Sequence, residues 1–187
     1  MTKTHDPQMT GARLSEHAHP RPALRRVTGW LVAAGLIGIV AGVAGLLALA
    51  IGYRLPLLAL AAIFLAALAV PLLQLSALHP VITVYERGLW LKPLVWRGSW
   101  VPWDALTDLH DHTLIQRGKR TRWDASREGH LFTVRGALPP VYAVVGWAAG
   151  LGGRRAFGIA AHSHTAYAAL LSAIKRHVPR QKHNRVA

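Results

Sequence analysis

Two pairs of histidines are the residues best suited to chemistry in this sequence. His110 and His112 follow Asp108 at alternate positions, and His162 and His164 repeat the spacing. Alternate side chains of a strand point to one face of its sheet, and two imidazoles with a carboxylate suit a divalent transition metal. A solvated strand face is our preferred interpretation of the first pair. A metal-binding protein with His110 and His112 as ligands is the alternative.

A glycine-rich basic loop, Gly150–Arg155, is the second candidate for a binding site. Its glycines would expose N–H groups, and Arg154 and Arg155 would add charge, as in loops that cradle an anion. The loop lacks the Lys-Ser/Thr ending of a P-loop, so a basic turn is the preferred interpretation. The sequence contains no cysteine nucleophile and no Gly-x-Ser-x-Gly motif. We therefore expect neither an enzyme nor a cofactor.

The C-terminal third of the chain is strongly basic. No acidic residue follows Glu128, whereas eight lysines and arginines do. An anionic membrane surface explains this charge more simply than nucleic acid, because each basic residue near such a surface contributes about 1 kcal/mol. We expect no nucleic-acid partner. The candidate contacts for a lipid headgroup or another anion are Arg154, Arg155, Lys175, Arg176, Arg180 and Lys182.

The overall composition favours a membrane protein. Hydrophobic residues make up 52% of the chain and charged residues only 16%, whereas a typical soluble domain has about 25% charged residues. This balance excludes a disordered chain, and the lack of cysteine excludes a disulfide scaffold and a cysteine-ligated zinc or redox protein.

Two long apolar segments stand before the candidate sites. Val27–Tyr53 has 27 residues without a formal charge, and Leu55–Tyr85 has 31 more, with Arg54 alone between them. About 20 apolar residues span a bilayer, so we predict an antiparallel transmembrane hairpin with helices at about 27–52 and 55–77. A cleaved signal peptide is a weaker alternative, because its hydrophobic part has only about 7–15 residues.

Basic residues flank the hairpin on both outer sides and are scarce in its turn. The positive-inside rule therefore places both termini in the cytoplasm and the turn outside. The flanking cations are Arg13, Arg21, Arg25 and Arg26 before the hairpin, and Arg87, Lys92 and Arg97 after it.

Small residues recur at intervals of four on both predicted helices. On the first helix the pairs are Gly38 with Gly42 and Ala41 with Gly45, and on the second helix the pair is Ala62 with Ala66. Small residues let helix backbones approach closely in a membrane. Packing within the hairpin is the simpler interpretation, and homo-oligomerisation is the other. A further feature, Pro71, is expected to kink the second helix or to end its regular part.

Beyond the hairpin the pattern changes to short strands and one helix. Alternating β-branched and aromatic runs separated by turn residues predict a small antiparallel sheet or barrel, closed by an amphipathic helix at 165–178 that Ser163 or Thr165 can cap. The fold class is thus an α+β membrane protein. The predicted parts are a basic polar tail at 1–26, the hairpin at 27–78, a β-rich domain at 79–178 and a basic tail at 179–187.

The run Val101–Leu106 carries a resemblance to a known family. Early strands followed by this run, with its Trp103, look like the opening of bacterial pleckstrin-homology-like (PH-like) domains, and a closing helix such as 165–178 is typical of them. Many of those proteins also carry a two-helix membrane hairpin. The resemblance implies a PH-like domain at 79–178, a bacterial inner or plasma membrane and a role as a tethered scaffold. It supplies no ligand residues.

Three functional hypotheses follow for this chain. The first is a membrane-anchored interaction or scaffold protein, whose partner is another copy or another membrane protein. The second is a sensor of anionic lipids through the basic C-terminal face, and the third is a metal-binding protein. We also predict that Trp103, one of four tryptophans within 14 residues, is a core residue, since aromatic side chains bury about 150–250 Å² each.

Overall fold

The computed structural model describes residues 11–111 and 129–178, which form an α+β fold. Two long apolar helical segments near the N-terminus are joined to two small antiparallel sheets. The elements are β1 (Arg13–His17), α1 (Pro22–Tyr53), α2 (Pro56–Ala67), α3 (Ala69–Leu78), β2 (Val81–Tyr85), β3 (Gly88–Lys92), β4 (Ser99–Pro102), β5 (Leu106–Asp111), β6 (Gly129–Val134), α4 (Val141–Ala148), β7 (Arg155–Ala160) and α5 (Tyr167–Lys175).

Helix α1 and the α2–α3 segment form an antiparallel hairpin. They contain 32 and 23 residues, and by length and composition each can cross a bilayer. The turn is closed by Arg54 in the left-handed conformation, with φ of 55°, and by Pro56 at the first position of α2, where its missing N–H costs no hydrogen bond.

The second helical segment is interrupted at Leu68, one turn before Pro71. Pro71 has no N–H to offer the carbonyl of Ala67, and its ring crowds that carbonyl. The interruption is therefore where the prediction of a proline kink places it.

The strands form two separate sheets and not a closed barrel. The first has the order β1-β2-β3-β4 and the second the order β5-β6-β7, all pairs being antiparallel. A single 3-10 turn, Trp103–Ala105, leads from β4 to β5, and within residues 11–111 and 129–178 these two strands do not pair. The barrel alternative of the sequence prediction is therefore wrong for the described part of the chain.

Strand β1 lies in the segment 1–26, which is predicted to be a polar tail. It pairs with β2, with Arg13 opposite Tyr85 and His17 opposite Ile82. The domain therefore takes its edge strand from before the hairpin and the neighbouring strand from after it. The sequence Arg-Leu-Ser-Glu-His hides this strand, because an edge strand with one exposed face needs few apolar residues.

The core lies between the sheets and the last helix. Phe132 and Phe157, on adjacent strands of the second sheet, are fully buried and stack with ring centres 5.4 Å apart. Leu170 and Ile174 of α5 are also fully buried, as its apolar spacing predicts. The predicted cap is wrong: neither Ser163 nor Thr165 caps α5, which instead follows Ala166 in the left-handed conformation.

Helix α4 lies between the end of the hairpin and the second sheet. It packs against α3 and β7, and the close approach requires glycine at position 146, because a Cβ there would lie 1.8 Å from the carbonyl oxygen of Arg154. The apolar residues of Val141–Ala148 thus form a helix that joins the hairpin to the sheet.

Candidate functional site

Four histidines meet where β1, the end of the hairpin and the β7–α5 loop come together. We call this group, His17, His79, His162 and His164, the histidine junction. The ring of His79 lies edge-on to those of His162 and His164, with ring centres 5.5 and 6.1 Å away. The junction brings together residues that are far apart in the sequence, and it includes one of the two histidine pairs noted above.

His164 is the buried centre of the junction and is held in one neutral tautomer. Its Nε2–H donates to the carbonyl of Pro80 at 2.9 Å, so Nδ1 accepts from the N–H of Ala160 at 3.3 Å and from the hydroxyl of Ser163 at 3.1 Å. Burial lowers the pKa of His164, and the charges of His17 and His162 lower it further, against the effect of the backbone hydrogen bonds. The imidazole therefore acts as a neutral cross-link.

His17 fastens β1 to the same loop. Its Nδ1–H donates to the carbonyl of Thr165 at 2.7 Å, and Nε2 accepts from the hydroxyl of Ser15 at 2.9 Å. The N–H of Thr165 in turn donates to the carbonyl of Ala18 at 3.0 Å. These bonds hold the segment before the hairpin against the loop that precedes α5.

The histidine pairs do not form a metal centre within the described residues. No group of three His, Cys, Asp or Glu side chains in residues 11–111 and 129–178 is placed to hold a metal ion. His110 shares a face with Asp108 as predicted, but it is only 7% exposed, so the interpretation as a solvated face is wrong for this residue. His112 lies outside the described residues.

The candidate anion contacts are divided among different roles. Arg155 donates to the carbonyls of Gly136 and Leu138, and Arg154 pairs with Asp108 at 3.5 Å. Lys175 and Arg176 are exposed at the end of α5. Arg180 and Lys182 lie outside the described residues, so two of the six predicted contacts are exposed cations without an acidic partner in the described part of the chain.

The glycine-rich loop ends α4, and two of its N–H groups bond to carbonyls of that helix. The N–H of Gly150 donates to the carbonyl of Trp147 at 3.0 Å, and that of Leu151 to the carbonyl of Gly146 at 2.8 Å. Gly150 and Gly152 adopt positive φ angles of 72° and 65°, as is common where a helix ends. The basic-turn interpretation fits this geometry.

The small residues of the hairpin fall on two faces. Gly42 contacts Leu65 across the hairpin, and Ala62 is 2% exposed. By contrast, a Cβ added at Gly38 or Gly45 would have no described atom within 4 Å, and Ala66 is exposed. Gly38 and Gly45 belong to an exposed stripe of small residues on one face of α1, comprising Ala34, Gly38, Ala41, Gly45, Ala48 and Gly52.

The tryptophans that follow the hairpin lie at the edge of the core. Trp103 is partly buried, stacks on His177 with ring centres 4.0 Å apart and donates from Nε1 to the carbonyl of Glu86 at 2.9 Å. Trp90 and Trp100 face each other across β3 and β4 and are partly exposed, and Trp96 is 43% exposed. Trp103 thus joins the first sheet to the C-terminal helix without being fully enclosed.

Comparisons with known proteins find no relative of this chain. No protein-family model matches it, and no curated protein and no solved structure matches it with statistical significance. The PH-like resemblance therefore remains a prediction.

Proposed function

We propose that the chain is a non-catalytic, membrane-anchored interaction protein. Its hairpin spans the bilayer, and its β-rich domain is held rigidly against the cytoplasmic side. The hairpin's surface supports this proposal, because the outward side chains of Ile37, Ile51 and Leu57 are 70%, 80% and 74% exposed. An apolar surface of this extent is what lipid covers in a membrane protein.

The observation that carries the proposal is that the domain is built onto both ends of the hairpin. Strand β1 precedes α1 and pairs with β2, which follows α3. The histidine junction adds two hydrogen bonds, one from His17 to the carbonyl of Thr165 and one from His164 to the carbonyl of Pro80. A simple tether needs only a flexible linker, whereas this arrangement makes hairpin and domain one body. A partner that binds to the helices is thus held in a fixed orientation relative to the domain.

The same pairing supports the proposed topology. Because β1 and β2 are neighbours in one sheet, the two ends of the hairpin must lie on the same side of the bilayer. The flanking cations favour the cytoplasmic side.

Reporter fusions at the N-terminus and after Ala187 should therefore both report cytoplasm. The reason is the excess of lysine and arginine at both ends of the hairpin, against Arg54 alone in its turn. The measurement is the activity of a reporter that works in only one compartment, with a fusion inserted next to Arg54 as the control that should report the opposite side. Reporters at the two ends on opposite sides would contradict both the topology and the β1–β2 pairing.

The exposed stripe on α1 is the surface through which we propose that copies associate. Its residues recur at intervals of four and three, so they share one face of the helix, and without side chains beyond Cβ they let a second helix approach closely. Gly42, which packs against Leu65, lies at the margin of this face. The hairpin thus uses one set of small residues internally and leaves another for a partner.

Replacing both Gly38 and Gly45 by leucine is expected to weaken association in lipid vesicles about tenfold, or by about 1.4 kcal/mol. The leucine side chains would hold the helices apart, while the space around both positions lets the hairpin itself fold. Energy transfer between labelled copies at a fixed protein-to-lipid ratio measures the effect.

The matched control is Ala44→Leu, an exposed position about a quarter of a turn from the middle of the stripe. It places the same kind of side chain on the same helix and should leave association unchanged. Equal energy transfer in the wild type and the double variant would contradict association through the stripe, and a monomeric wild type would contradict homotypic association altogether.

A further inference from the structure

A cleft of about 720 Å³ opens between the start of α1, the end of β1 and the end of β3. Its wall is basic at one end and apolar at the other. Arg25, Arg26 and Lys92 line it where α1 begins, and Gly29, Trp30 and Ala33 line it further along the same helix. We call the first group the cationic rim and the second the apolar floor.

The cationic rim has an excess of positive charge. Glu16 is the one carboxylate among the described residues that line the cleft, and it is already paired with Arg13. Arg25 is fixed in place, since its Nη2 donates to the carbonyls of Lys92 and Pro93 at 3.0 and 3.2 Å. These two bonds hold the rim in shape, and the exposed guanidinium of the neighbouring Arg26 suits phosphate oxygens especially well.

The apolar floor continues the rim along the axis of α1. At about 1.5 Å per residue, Trp30 lies about 6 Å beyond Arg26, and Ala33 about 10 Å. The loop that follows β3 closes the side of the floor, where Leu94 packs on Gly29. Trp30 is 77% exposed, which places an amphipathic ring where the charged and apolar parts of the wall meet.

We propose that this cleft binds an anionic phospholipid of the surrounding leaflet. The phosphate contacts Arg26 and Lys92, Arg25 holds the rim in shape, and the start of an acyl chain lies along Gly29 and Ala33. The succession of cations and apolar surface over about 10 Å matches a headgroup followed by hydrocarbon. The site rests on the proposed insertion of the hairpin, and it is distinct from the basic C-terminal face.

The test uses the full chain in nanodiscs that contain phosphatidylglycerol and phosphatidylcholine, with retained lipids counted by native mass spectrometry. Phosphatidylglycerol should be retained in preference to phosphatidylcholine. The double substitution Arg26→Gln and Lys92→Gln should weaken this retention about thirtyfold, which corresponds to about 2 kcal/mol for two cations. The matched control, Arg87→Gln with Arg135→Gln, changes the net charge equally on exposed residues that do not line the cleft and should leave retention unchanged.

A second variant separates a lipid from other anions. Ala33→Leu fills the apolar floor without changing charge, so it should displace the lipid. Anion binding that survives Ala33→Leu, or that glycerol phosphate alone reproduces, would assign the rim to a free phosphate or an acidic peptide and overturn the proposal. Equal loss of retention in the two charge variants would mean that phosphatidylglycerol is held only by non-specific electrostatic attraction, and this result would contradict the proposal. Resistance to carbonate extraction tests hairpin insertion separately, so an inserted protein that retains no lipid would contradict only this inference.

Discussion

Replacing Phe157 by alanine is expected to unfold the β-rich domain and, in the proposed topology, to leave the hairpin in the membrane. Phe157 is fully buried and stacks on Phe132 in the centre of the core. Truncation of a buried phenylalanine costs about 3–5 kcal/mol, which is a large part of the roughly 5–15 kcal/mol that stabilises a domain. Limited proteolysis of membranes carrying the variant should show cleavage within 81–178 and a protected hairpin.

Two other aromatic residues provide comparison variants for this experiment. Trp147 is 69% exposed on α4, so Trp147→Ala should leave the domain resistant to protease. Trp103, which is only partly enclosed, should show a smaller effect than Phe157. A resistant domain after Phe157→Ala would contradict the assignment of the second sheet to the core.

Acidification is expected to destabilise the domain through the histidine junction. Burial holds the pKa of His164 below its ordinary value of about 6.5. The unfolded chain therefore binds a proton at this residue before the folded chain does. Stability from this group is complete above about pH 6.5 and falls as the pH drops below that value, by up to about 1.4 kcal/mol per pH unit. Charge on the neighbouring His17 and His162 adds to the effect, because both oppose a charged His164.

Denaturant unfolding of the detergent-solubilised protein at about pH 7.5 and pH 5.5 measures this loss of stability. His164→Gln is the matched variant, because an amide can still donate to the carbonyl of Pro80 but does not titrate in this range. The variant should be less stable at the higher pH and less sensitive to acid than the wild type. Identical pH dependence in the two proteins would exclude His164 as the source of the acid sensitivity.

The sequence predicts those elements whose evidence is local. The hairpin is predicted by two uncharged runs that are longer than a bilayer requires. Helix α5 is predicted by the spacing of its apolar residues, which include Leu170 and Ile174. Pro71 marks the break at Leu68 because a missing N–H acts one turn away. Each of these inferences needs only neighbouring residues.

The elements that were missed depend on distant partners. Strand β1 carries little apolar pattern of its own and is stabilised by β2, more than 60 residues later. The junction forms because the fold brings His17 and His79 to His164, which no spacing in the sequence reveals. The rim of the cleft likewise combines Arg26 with Lys92. The burial of His110 cannot be predicted from its neighbours in the sequence, because the burial of a strand residue depends on which other elements pack over it.

The pairing of β1 with β2 also imposes an order on synthesis. His17 and its partner Ile82 are separated by a stretch that a ribosome needs about 3–13 s to translate at roughly 5–20 residues per second. During that time the nascent β1 has no strand to pair with. In the proposed topology β2 is made in the cytoplasm only after both helices have been inserted into the membrane. In that topology the first sheet can be completed only after insertion, and a chain that stalls midway leaves β1 unpaired.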